Sequence, residues 1–307
     1  MSISVQDLPR ELAAALRPEP TDRIELIGLR ARGHHGVLET ERREGQDFLV
    51  DLTMEVDTAP AARTDALGRT VNYAQVADAA VAEIEGGPHQ LIETLASRIA
   101  ERVLTEQILV RRIEVMLHKP SAPIPHPFGD VRVRIGRRAG PVPAVLALGS
   151  NLGDREEHLT RALELLRAAE GIEVAWTGPV VETDPVGGVD QGAFLNTTIG
   201  VLSDRGPWQL LELAHALERD ARRVRAVRWG PRTLDVDVIT YGDLVQDDEE
   251  LTLPHPRARK RAFVLAPWQA ARPEAMLPGH GPIAALLEAA PDRDGVRPGP
   301  HVPGFGS

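Results

Sequence analysis

Two aspartates, Asp235 and Asp237, lie one residue apart in the segment LDVDVIT, which otherwise has the apolar composition of a buried strand. Because side chains alternate between the two faces of a β-strand, both carboxylates point to the same face. Two like charges this close repel each other and are costly to bury unless a cation neutralises them. Magnesium prefers oxygen ligands and is often held by one or two carboxylates together with substrate phosphates. The spacing therefore predicts a magnesium and polyphosphate site.

Several arginines precede this strand closely enough to neutralise phosphate charge. The run RRVRAVRWGPR contains Arg223, Arg225, Arg228 and Arg232. Guanidinium groups make forked contacts with phosphate oxygens, and two metal ions between paired acids clamp both oxygens of a phosphoryl transfer. The chain contains no GxxxxGK(S/T) segment, which excludes a P-loop kinase. An open alternative is that both aspartates face solvent and the arginines belong to an ordinary loop.

Lysine is scarce in this chain, which contains only Lys119 and Lys260 beside many arginines. Lysine can act as a general acid or base, whereas arginine effectively never gives up its proton. A retained lysine therefore indicates chemistry that arginine cannot perform, and Lys119 is a candidate for proton transfer. His34 and His35 in the segment GHHG suggest a metal site, but no third ligand at a suitable spacing supports it.

The composition limits the classes of protein to consider. The chain has 307 residues, which is long enough for roughly two domains. It has no cysteine, so disulfides and thiolate metal sites are excluded and a cytoplasmic location is expected. No segment resembles a membrane span, and the N-terminus lacks the pattern of a signal peptide. The formal net charge of -10 argues against general nucleic-acid binding.

Hydrophobic patterns predict a first domain over residues 21–136, after an N-terminal extension over 1–20 that contains a short amphipathic stretch. The order is strand, strand, helix, helix, strand, strand, because apolar residues alternate in the strands and follow helical spacing in the helices. This order predicts an antiparallel sheet with two helices on one face. The segment 137–142 breaks the pattern and is the predicted linker.

A second domain is predicted over residues 143–291. Strands and helices mix there without a regular βαβ repeat, which favours an α+β sandwich over a doubly wound sheet. One helix is expected to begin near Asn151 or Asp154, and another to cover about 258–270. Residues 292–307 are rich in proline and glycine and are predicted to be a disordered tail.

Four segments of the second domain resemble 6-hydroxymethyl-7,8-dihydropterin pyrophosphokinase, namely ALGSNLGDR, GAFLN, RWGPRTLDVDVITYG and LTLPHPRARKRAFVLAP. The resemblance implies a ferredoxin-like fold and transfer of a pyrophosphoryl group from ATP to the hydroxymethyl oxygen of the pterin, with release of AMP. It implies that two Mg²⁺ ions are held by Asp235 and Asp237. The implied ATP contacts are Glu218, Arg223, Arg225, Arg228, Arg232, Thr252, His255 and Arg261. The implied pterin contacts are Thr183, Val186, Phe194, Asn196, Trp229 and Phe263.

These implied pterin contacts suit the ligand physically. A flat polar heterocycle is well held by two aromatic faces and by an amide that both donates and accepts hydrogen bonds. The chain departs from the family pattern at Phe194, where tyrosine is frequent, and at Asp184, where a Thr-Pro-Pro run is common. Neither departure changes the paired aspartates.

Four segments of the first domain resemble dihydroneopterin aldolase, namely ARGHHGVLETERREGQ, RTVNYAQV, QLIETLASRIA and LHKPSAPIPHPFGDVRVRI. The resemblance implies a tunnelling-fold domain that cuts 7,8-dihydroneopterin into glycolaldehyde and 6-hydroxymethyl-7,8-dihydropterin. The ring imine of that substrate can accept the electrons of the broken bond, so neither a metal nor another cofactor is required. The implied acid–base residues are Lys119, Tyr73 and Glu41, and the implied pterin contacts are Glu93, Val71 and Ile92. The resemblance also implies ring-like tetramers or octamers with active sites between subunits.

The two resemblances name consecutive steps of folate biosynthesis, because the product of the first reaction is the substrate of the second. The sequence thus predicts a bifunctional cytoplasmic enzyme that binds pterins and ATP but neither nucleic acid nor membrane. An alternative from another class is that the first domain has lost catalysis and serves as an oligomerisation scaffold for the kinase. A third alternative uses the arginine run to bind nucleic acid, against which the net charge argues.

Overall fold

The computed structural model of the chain describes residues 8–17, 22–184, 192–221 and 233–306. These residues form two compact units. The N-terminal unit covers residues 22–140, and the C-terminal unit covers the described residues from 141 onward together with the N-terminal helix α1 (Arg10–Leu16). Within these described ranges no helix combines the length and the apolar composition that crossing a membrane requires.

The N-terminal unit is a four-stranded antiparallel sheet in the order β1-β2-β3-β4. Its strands are β1 (Asp22–Gly33), β2 (Gln46–Val56), β3 (Arg112–His118) and β4 (Arg132–Arg138). Its helices are α2 (Glu39–Glu44), α3 (Ala59–Thr64), α4 (Tyr73–Ile84) and α5 (Ile92–Glu106). The predicted order of four strands and two long helices is confirmed, and the short helices α2 and α3 are additions that the hydrophobic pattern did not indicate.

One face of this sheet is apolar and the other is polar. Strand β2 buries every second residue, from Phe48 through Leu52 to Val56, and these side chains pack against Ile99 and its neighbours on α5. Each fully buried aliphatic or aromatic side chain stabilises the fold by roughly 1.5–3 kcal/mol, so the helices must cover this face and not the other. The two-residue period of β2 thus decides where the helix layer lies.

The C-terminal unit contains a longer sheet with helices on both faces. The strands of this sheet are β5 (Val142–Ser150), β6 (Ile172–Thr177), β7 (Val181–Thr183), β8 (Phe194–Ser203), β9 (Asp235–Tyr241) and β12 (Val296–Pro298). Two short strands, β10 (Met276–Leu277) and β11 (Gly281–Pro282), form a separate pair. The helices of this unit are α6 (Arg155–Ala168), α7 (Pro207–Asp220), α8 (Ala262–Ala271) and α9 (Ile283–Glu288). Helix α6 begins after Asp154, whose side chain accepts a hydrogen bond from the Glu157 N–H. This confirms Asp154, one of the two predicted starting positions. The predicted linker is shorter than 137–142, because β4 continues through residue 138 and β5 begins at residue 142.

The chain order and strand order of this unit define a ferredoxin-like fold. The elements β5-α6-β6 and β8-α7-β9 form two βαβ halves, and the strands are arranged antiparallel in the order β9-β5-β8-β6. Strand β9 buries Val236 and Val238 on the face that α7 covers, whereas Ile239 and Ala147 pack on the other face against α8. The predicted α+β class of both domains is confirmed.

The prediction that residues 292–307 are disordered is wrong for 292–306. Residues 293–295 form a 3₁₀ turn, and β12 pairs antiparallel with β7. Farther along, Val302 and Phe305 are only 2% and 7% exposed. The prediction failed because it rested on the high proline and glycine content, whereas two widely spaced apolar side chains hold the segment on the C-terminal unit.

Helix α1 belongs to the C-terminal unit, although the N-terminal unit follows it directly in the sequence. Leu12 and Leu16 are buried, and α1 packs against α6 and α7. The buried guanidinium of Arg205 donates hydrogen bonds to the carbonyls of Ala15 (2.6 Å), Leu16 (2.8 Å) and Glu170 (2.7 Å). The predicted N-terminal extension therefore acts as a structural part of the second domain.

Replacing Arg205 with alanine is expected to lower the free energy of unfolding of the C-terminal unit by about 2–4 kcal/mol, because three carbonyls lose a hydrogen bond from a buried charged side chain. Burial lowers the pKa of Arg205 to about 10, so the side chain is charged at neutral pH in the wild type. Urea unfolding followed by tryptophan fluorescence measures this unit alone, since all four tryptophans lie after residue 140.

The matched control is Arg219→Ala, which removes a solvent-exposed ion pair between α7 and Glu11 of α1, with 3.7 Å between the charged atoms. Exposed pairs contribute little, so this variant should unfold close to the wild type. Equal unfolding midpoints for Arg205→Ala and the wild type would show that α1 is not held in this way.

Candidate active sites

Lys119 lies immediately after β3, where the N-terminal unit buries its side chain. Its backbone N–H donates to the Val131 carbonyl at 2.7 Å, which holds the chain as it leaves the strand. The ammonium Nζ lies 2.6 Å from Glu41 Oε1 on α2 and donates to the His35 carbonyl at 3.3 Å. Both side chains are less than a tenth exposed. The structure therefore brings two of the three predicted acid–base residues together in a buried ion pair.

The Glu41 carboxylate is held by more than the lysine. The Leu38 N–H donates to Oε2 at 3.0 Å, and the Gln46 side-chain amide donates to Oε1 at 3.3 Å. Burial by itself would raise the pKa of Glu41, but the hydrogen bonds from Lys119 and Leu38 outweigh burial and the pKa is lowered. A Cβ atom at Gly36 would overlap the Glu41 carboxylate, so this position requires glycine. The carboxylate thus stays ionised beside the ammonium group.

His35 organises this site without being one of its predicted residues. Its Nδ1 accepts from the His89 N–H at 3.0 Å, so Nε2 carries the proton that is donated to the Ile84 carbonyl at 2.7 Å. Burial lowers the pKa of the ring, which favours this neutral form. With both nitrogens engaged, His35 is not free to bind a metal, and the described residues contain no group of three or more side chains suited to one. The contacts that reveal this role join residues about fifty positions apart, and no local motif signals them.

The other predicted residues of the first site are divided between two ends of the helix layer. Glu93 lies in the first turn of α5, four residues after His89, whose carbonyl accepts from the Gly36 N–H at 2.9 Å. Tyr73 begins α4, whereas Ile84 at its other end contacts His35, so about 16 Å of helix separate Tyr73 from the lysine site. The two remaining predicted contacts go with these residues, because Ile92 directly precedes Glu93 and Val71 lies two residues before Tyr73. Within one chain, Tyr73 and Val71 are therefore not brought to Lys119.

The second site is built on three neighbouring strands. Gly149 of β5 pairs with Asp235 of β9 on one side and with Asn196 of β8 on the other. Residues directly opposite in an antiparallel sheet point to the same face, so the carboxylate and the amide lie about 10 Å apart across the glycine. A Cβ atom at Gly149 would lie 2.8 Å from Asn196 Oδ1. Gly149 therefore lets the Asn196 side chain lie over β5, on the face that also carries the Asp235 carboxylate.

Cationic and polar side chains surround Asp237, the next residue on the same face. Arg261 Nη1 lies 3.3 Å from Asp237 Oδ2, and His255 Nε2 lies 3.8 Å from it. Burial lowers the pKa of both Arg261 and His255, while the nearby carboxylate acts in the opposite direction. Arg261 also lies 5.4 Å above the ring of Phe263. The structure thus joins a predicted metal ligand, two predicted ATP contacts and one predicted pterin contact.

The remaining residues of this site fall into three groups. The Asn196 amide donates to Thr183 Oγ1 at 2.9 Å, and Thr183 is paired with Phe194, so these predicted pterin contacts lie together. Glu218 is buried and accepts from the Val236 N–H at 3.1 Å, which ties α7 to β9 between the two aspartates. Thr252 Oγ1 donates to the Asp248 carbonyl at 2.9 Å. The predicted residues outside the described ranges are Val186, Arg223, Arg225, Arg228, Trp229 and Arg232.

Comparison with known proteins assigns each unit. The dihydroneopterin aldolase family matches residues 24–136, and the 7,8-dihydro-6-hydroxymethylpterin-pyrophosphokinase family matches residues 145–273. Dihydroneopterin aldolase of Streptomyces coelicolor is 53% identical over 116 residues, covering 38% of this chain and 97% of that protein. The pyrophosphokinase of Bacillus subtilis is 44% identical over 124 residues, covering 40% of this chain and 74% of that protein. A dihydroneopterin aldolase structure from Vibrio cholerae, 30% identical, covers 38% of this chain and 98% of its own, with a TM-score of 0.36.

The two units together define a bifunctional enzyme of folate biosynthesis. The chain belongs to the dihydroneopterin aldolase family through its N-terminal domain and to the hydroxymethyldihydropterin pyrophosphokinase family through its C-terminal domain.

Replacing Lys119 with alanine is expected to raise the pKa of Glu41 above its wild-type value, because burial remains while the strongest opposing hydrogen bond is lost. A pH titration of the carboxyl ¹³C signals measures this, and Glu39, exposed on the same helix, is the matched control. In the wild type, Glu41 should titrate below its ordinary value of 4.5. Because the folded-state pKa is lowered, its stabilising contribution is present above the unfolded-state pKa and is lost as the pH falls through the folded-state pKa. An unchanged Glu41 midpoint in the variant would contradict the prediction.

Proposed function

We propose that the aldolase domain cleaves 7,8-dihydroneopterin into glycolaldehyde and 6-hydroxymethyl-7,8-dihydropterin. The single observation that supports this most is the buried Lys119–Glu41 pair at 2.6 Å, a proton-exchanging group held in place by a carboxylate. The carbon–carbon bond of the side chain breaks as the neighbouring hydroxyl loses its proton and becomes the aldehyde. The electron pair passes into the ring imine to give an enamine, and a proton then returns to the carbon as the ring nitrogen loses one.

In this proposal, the side chains of the domain divide the proton transfers and the binding. Lys119, kept charged by its contact with Glu41, delivers and recovers the proton at the ring nitrogen. Tyr73 exchanges a proton with the substrate hydroxyl or the new carbon, and water mediates part of the transfer. The two carboxylate oxygens of Glu93 face the two N–H donors of the amino-pyrimidine edge, and Val71 and Ile92 contact the ring.

We infer that Tyr73 reaches this site from a second copy of the chain, whereas Val71, two residues earlier, is buried in the core of its own unit. Tyr73 is 61% exposed and lies about 16 Å of helix away from the end of α4 that contacts His35. A tyrosine so placed cannot serve its own lysine but can serve the lysine of a neighbour in a ring of identical subunits. This supports the predicted homo-oligomer, a tetramer or octamer assembled through the aldolase domain.

For the C-terminal domain we propose Mg²⁺-dependent transfer of pyrophosphate from ATP to 6-hydroxymethyl-7,8-dihydropterin. The observation that supports this is the row Asp235–Gly149–Asn196, which aligns a carboxylate with the side-chain amide that is the predicted pterin contact. The hydroxymethyl oxygen attacks the β-phosphorus of ATP, the bond to the α-phosphate oxygen breaks, and AMP leaves. Asn196 binds the pterin edge, and Phe194 and Phe263 contact its two faces, so the hydroxymethyl group points toward the acids.

The donor set near β9 fits magnesium. Asp235 and Asp237 lie on one face at the edge of the site, and two carboxylates leave coordination positions for phosphate and water oxygens, as Mg²⁺ requires. Two bound ions would neutralise charge on the attacking and leaving oxygens. Arg261, which pairs with Asp237 in this structure, would then be available to the triphosphate. The other residues that would bind the triphosphate are His255, Thr252, Glu218, Arg223, Arg225, Arg228 and Arg232.

The two proposed reactions are consecutive, because the aldolase product is the acceptor of the pyrophosphoryl group. The scaffold alternative predicts that the wild-type protein releases no glycolaldehyde from dihydroneopterin, while the kinase remains active. The paired geometry of Lys119 and Glu41 favours the catalytic interpretation. The cytoplasmic location stays a prediction from the sequence.

The substitutions Lys119→Arg and Asp235→Ala are expected to silence one activity each. Lys119→Arg keeps a positive charge beside Glu41 but removes proton exchange, so glycolaldehyde formation should fall by about 10²–10⁴. Asp235→Ala should abolish AMP release while the aldol cleavage stays within twofold of the wild type, on the order of normal variation. Each activity serves as the control for the other, and a folded variant that loses both would refute separate sites.

Mixing two inactive variants tests whether the aldolase site is shared between copies. Tyr73→Phe and Lys119→Arg chains are unfolded together, refolded together and assayed for glycolaldehyde. If the copies pair at random, roughly a quarter of the interfaces combine an intact Lys119 with an intact Tyr73, so about that share of activity should return. Separately refolded variants that are then combined without exchange provide the control. No recovery in verified mixed oligomers would place both residues in one subunit's site.

A further inference from the structure

The last strand of the chain lies against the strand that carries Thr183. In β12, Val296 pairs with Thr183, Arg297 pairs with Glu182, and Pro298 pairs with Val181. This strand lies beyond residues 145–273, the part that matches the pyrophosphokinase family. It is therefore a feature of this chain that the family assignment does not explain.

The C-terminal segment is anchored on both sides of β12. Before the strand, the Asp292 side chain accepts from the Ala262 N–H at the start of α8, at 2.8 Å. After the strand, Thr177 Oγ1 donates to the Gly304 carbonyl at 3.0 Å, and Val302 and Phe305 are buried. The segment is thus fixed to the domain independently of the contacts that β12 makes with β7.

Arg297 binds the two carboxylates that flank Thr183. Its two terminal nitrogens donate to the two oxygens of Asp184 at 2.8 and 2.7 Å, and Nη2 lies 3.5 Å from Glu182 Oε1. Residues 182 and 184 share one face of the strand, so Thr183 points to the opposite face, where its hydroxyl accepts from the Asn196 amide at 2.9 Å. A forked guanidinium contact restrains both position and rotation of the strand end.

We propose that Arg297 is a positioning residue of the pyrophosphokinase reaction, which fixes Thr183 by gripping Glu182 and Asp184 and thereby orients the Asn196 amide for the pterin. This inference rests on the proposed function of the domain and on Asn196 as a pterin contact. Arg297 and Asp184 are 47% and 67% exposed, and exposed ion pairs add little to stability. The contribution of Arg297 therefore lies in pterin binding, and unfolding should scarcely change when it is removed.

The test uses three variants: Arg297→Ala, Arg297→Lys, and a double variant that combines Asp184→Arg and Arg297→Asp and so exchanges the two charges. Arg297→Ala should raise the KM for 6-hydroxymethyl-7,8-dihydropterin roughly three- to tenfold, since the loss of a forked contact loosens the amide. The KM for ATP, the aldolase rate and the urea midpoint should stay at wild-type values. Arg297→Lys should give an intermediate KM because an ammonium cannot fork, and the exchanged pair should recover much of the loss. Arg293→Ala, an exposed arginine of the same segment, is the matched control and should leave every value unchanged.

An unchanged pterin KM in stable Arg297→Ala protein would overturn this role, and so would an equal rise in the KM for ATP. Calorimetric titration with the pterin alone, in the absence of turnover, provides the same comparison as a dissociation constant. A wild-type protein that binds the pterin but releases no AMP would refute the proposed reaction, while the titration would still decide the role of Arg297. A wild-type protein that does not bind the pterin would refute both.

Discussion

The alternation of side chains along β-strands is the constraint on which both sites of this protein depend. The parts of a sheet that helices cover must be apolar, so groups that perform chemistry are restricted to the uncovered parts of a face or to the ends of strands. In β9, Val236 and Val238 lie toward α7 while Asp235 and Asp237 lie on the opposite face. In β7 the same alternation turns Thr183 toward Asn196 and its two acidic neighbours toward Arg297. Along these strands, alternate residues therefore either pack in the core or take part in the sites, and no position has to do both.

Three buried or partly buried positive charges, on Lys119, Arg205 and Arg261, have partners of different kinds. Lys119 is paired with an ionised carboxylate that itself receives two further hydrogen bonds, so the charge pair is retained where proton transfer requires it. Arg205 has no carboxylate in its hydrogen bonds and instead binds three main-chain carbonyls, which makes it a structural group. Arg261 lies between these cases, because its partner Asp237 is also a predicted ligand of a divalent ion. A charge whose partner can be exchanged suits catalysis, whereas one bound to fixed carbonyls suits stability.

The sequence predicted most of the fold because its strands and helices have clear local periods. Strand β9 with its paired acids and helix α6 with its Asp154 cap follow directly from neighbouring residues. The contacts of His35, Arg205 and the C-terminal segment were not predictable, since each joins residues far apart in the chain and leaves no repeating pattern. Tyr73 shows a related limit: a motif can name a residue, but only the length of α4 shows that this residue lies away from its own lysine.

The placement of α1 has a consequence for how this polypeptide is made. The carbonyl of Leu16 is bound by Arg205, a partner 189 residues later in the chain. At translation rates of about 5–20 residues per second, roughly 10–40 s pass on the ribosome before that partner is synthesised. The aldolase domain can therefore be complete before the helices that cover Leu12 and Leu16 of α1 have been synthesised. Until then these two side chains are exposed. During that interval α1 is open to chaperones and proteases, and it can be covered only once α6, α7 and Arg205 have been made.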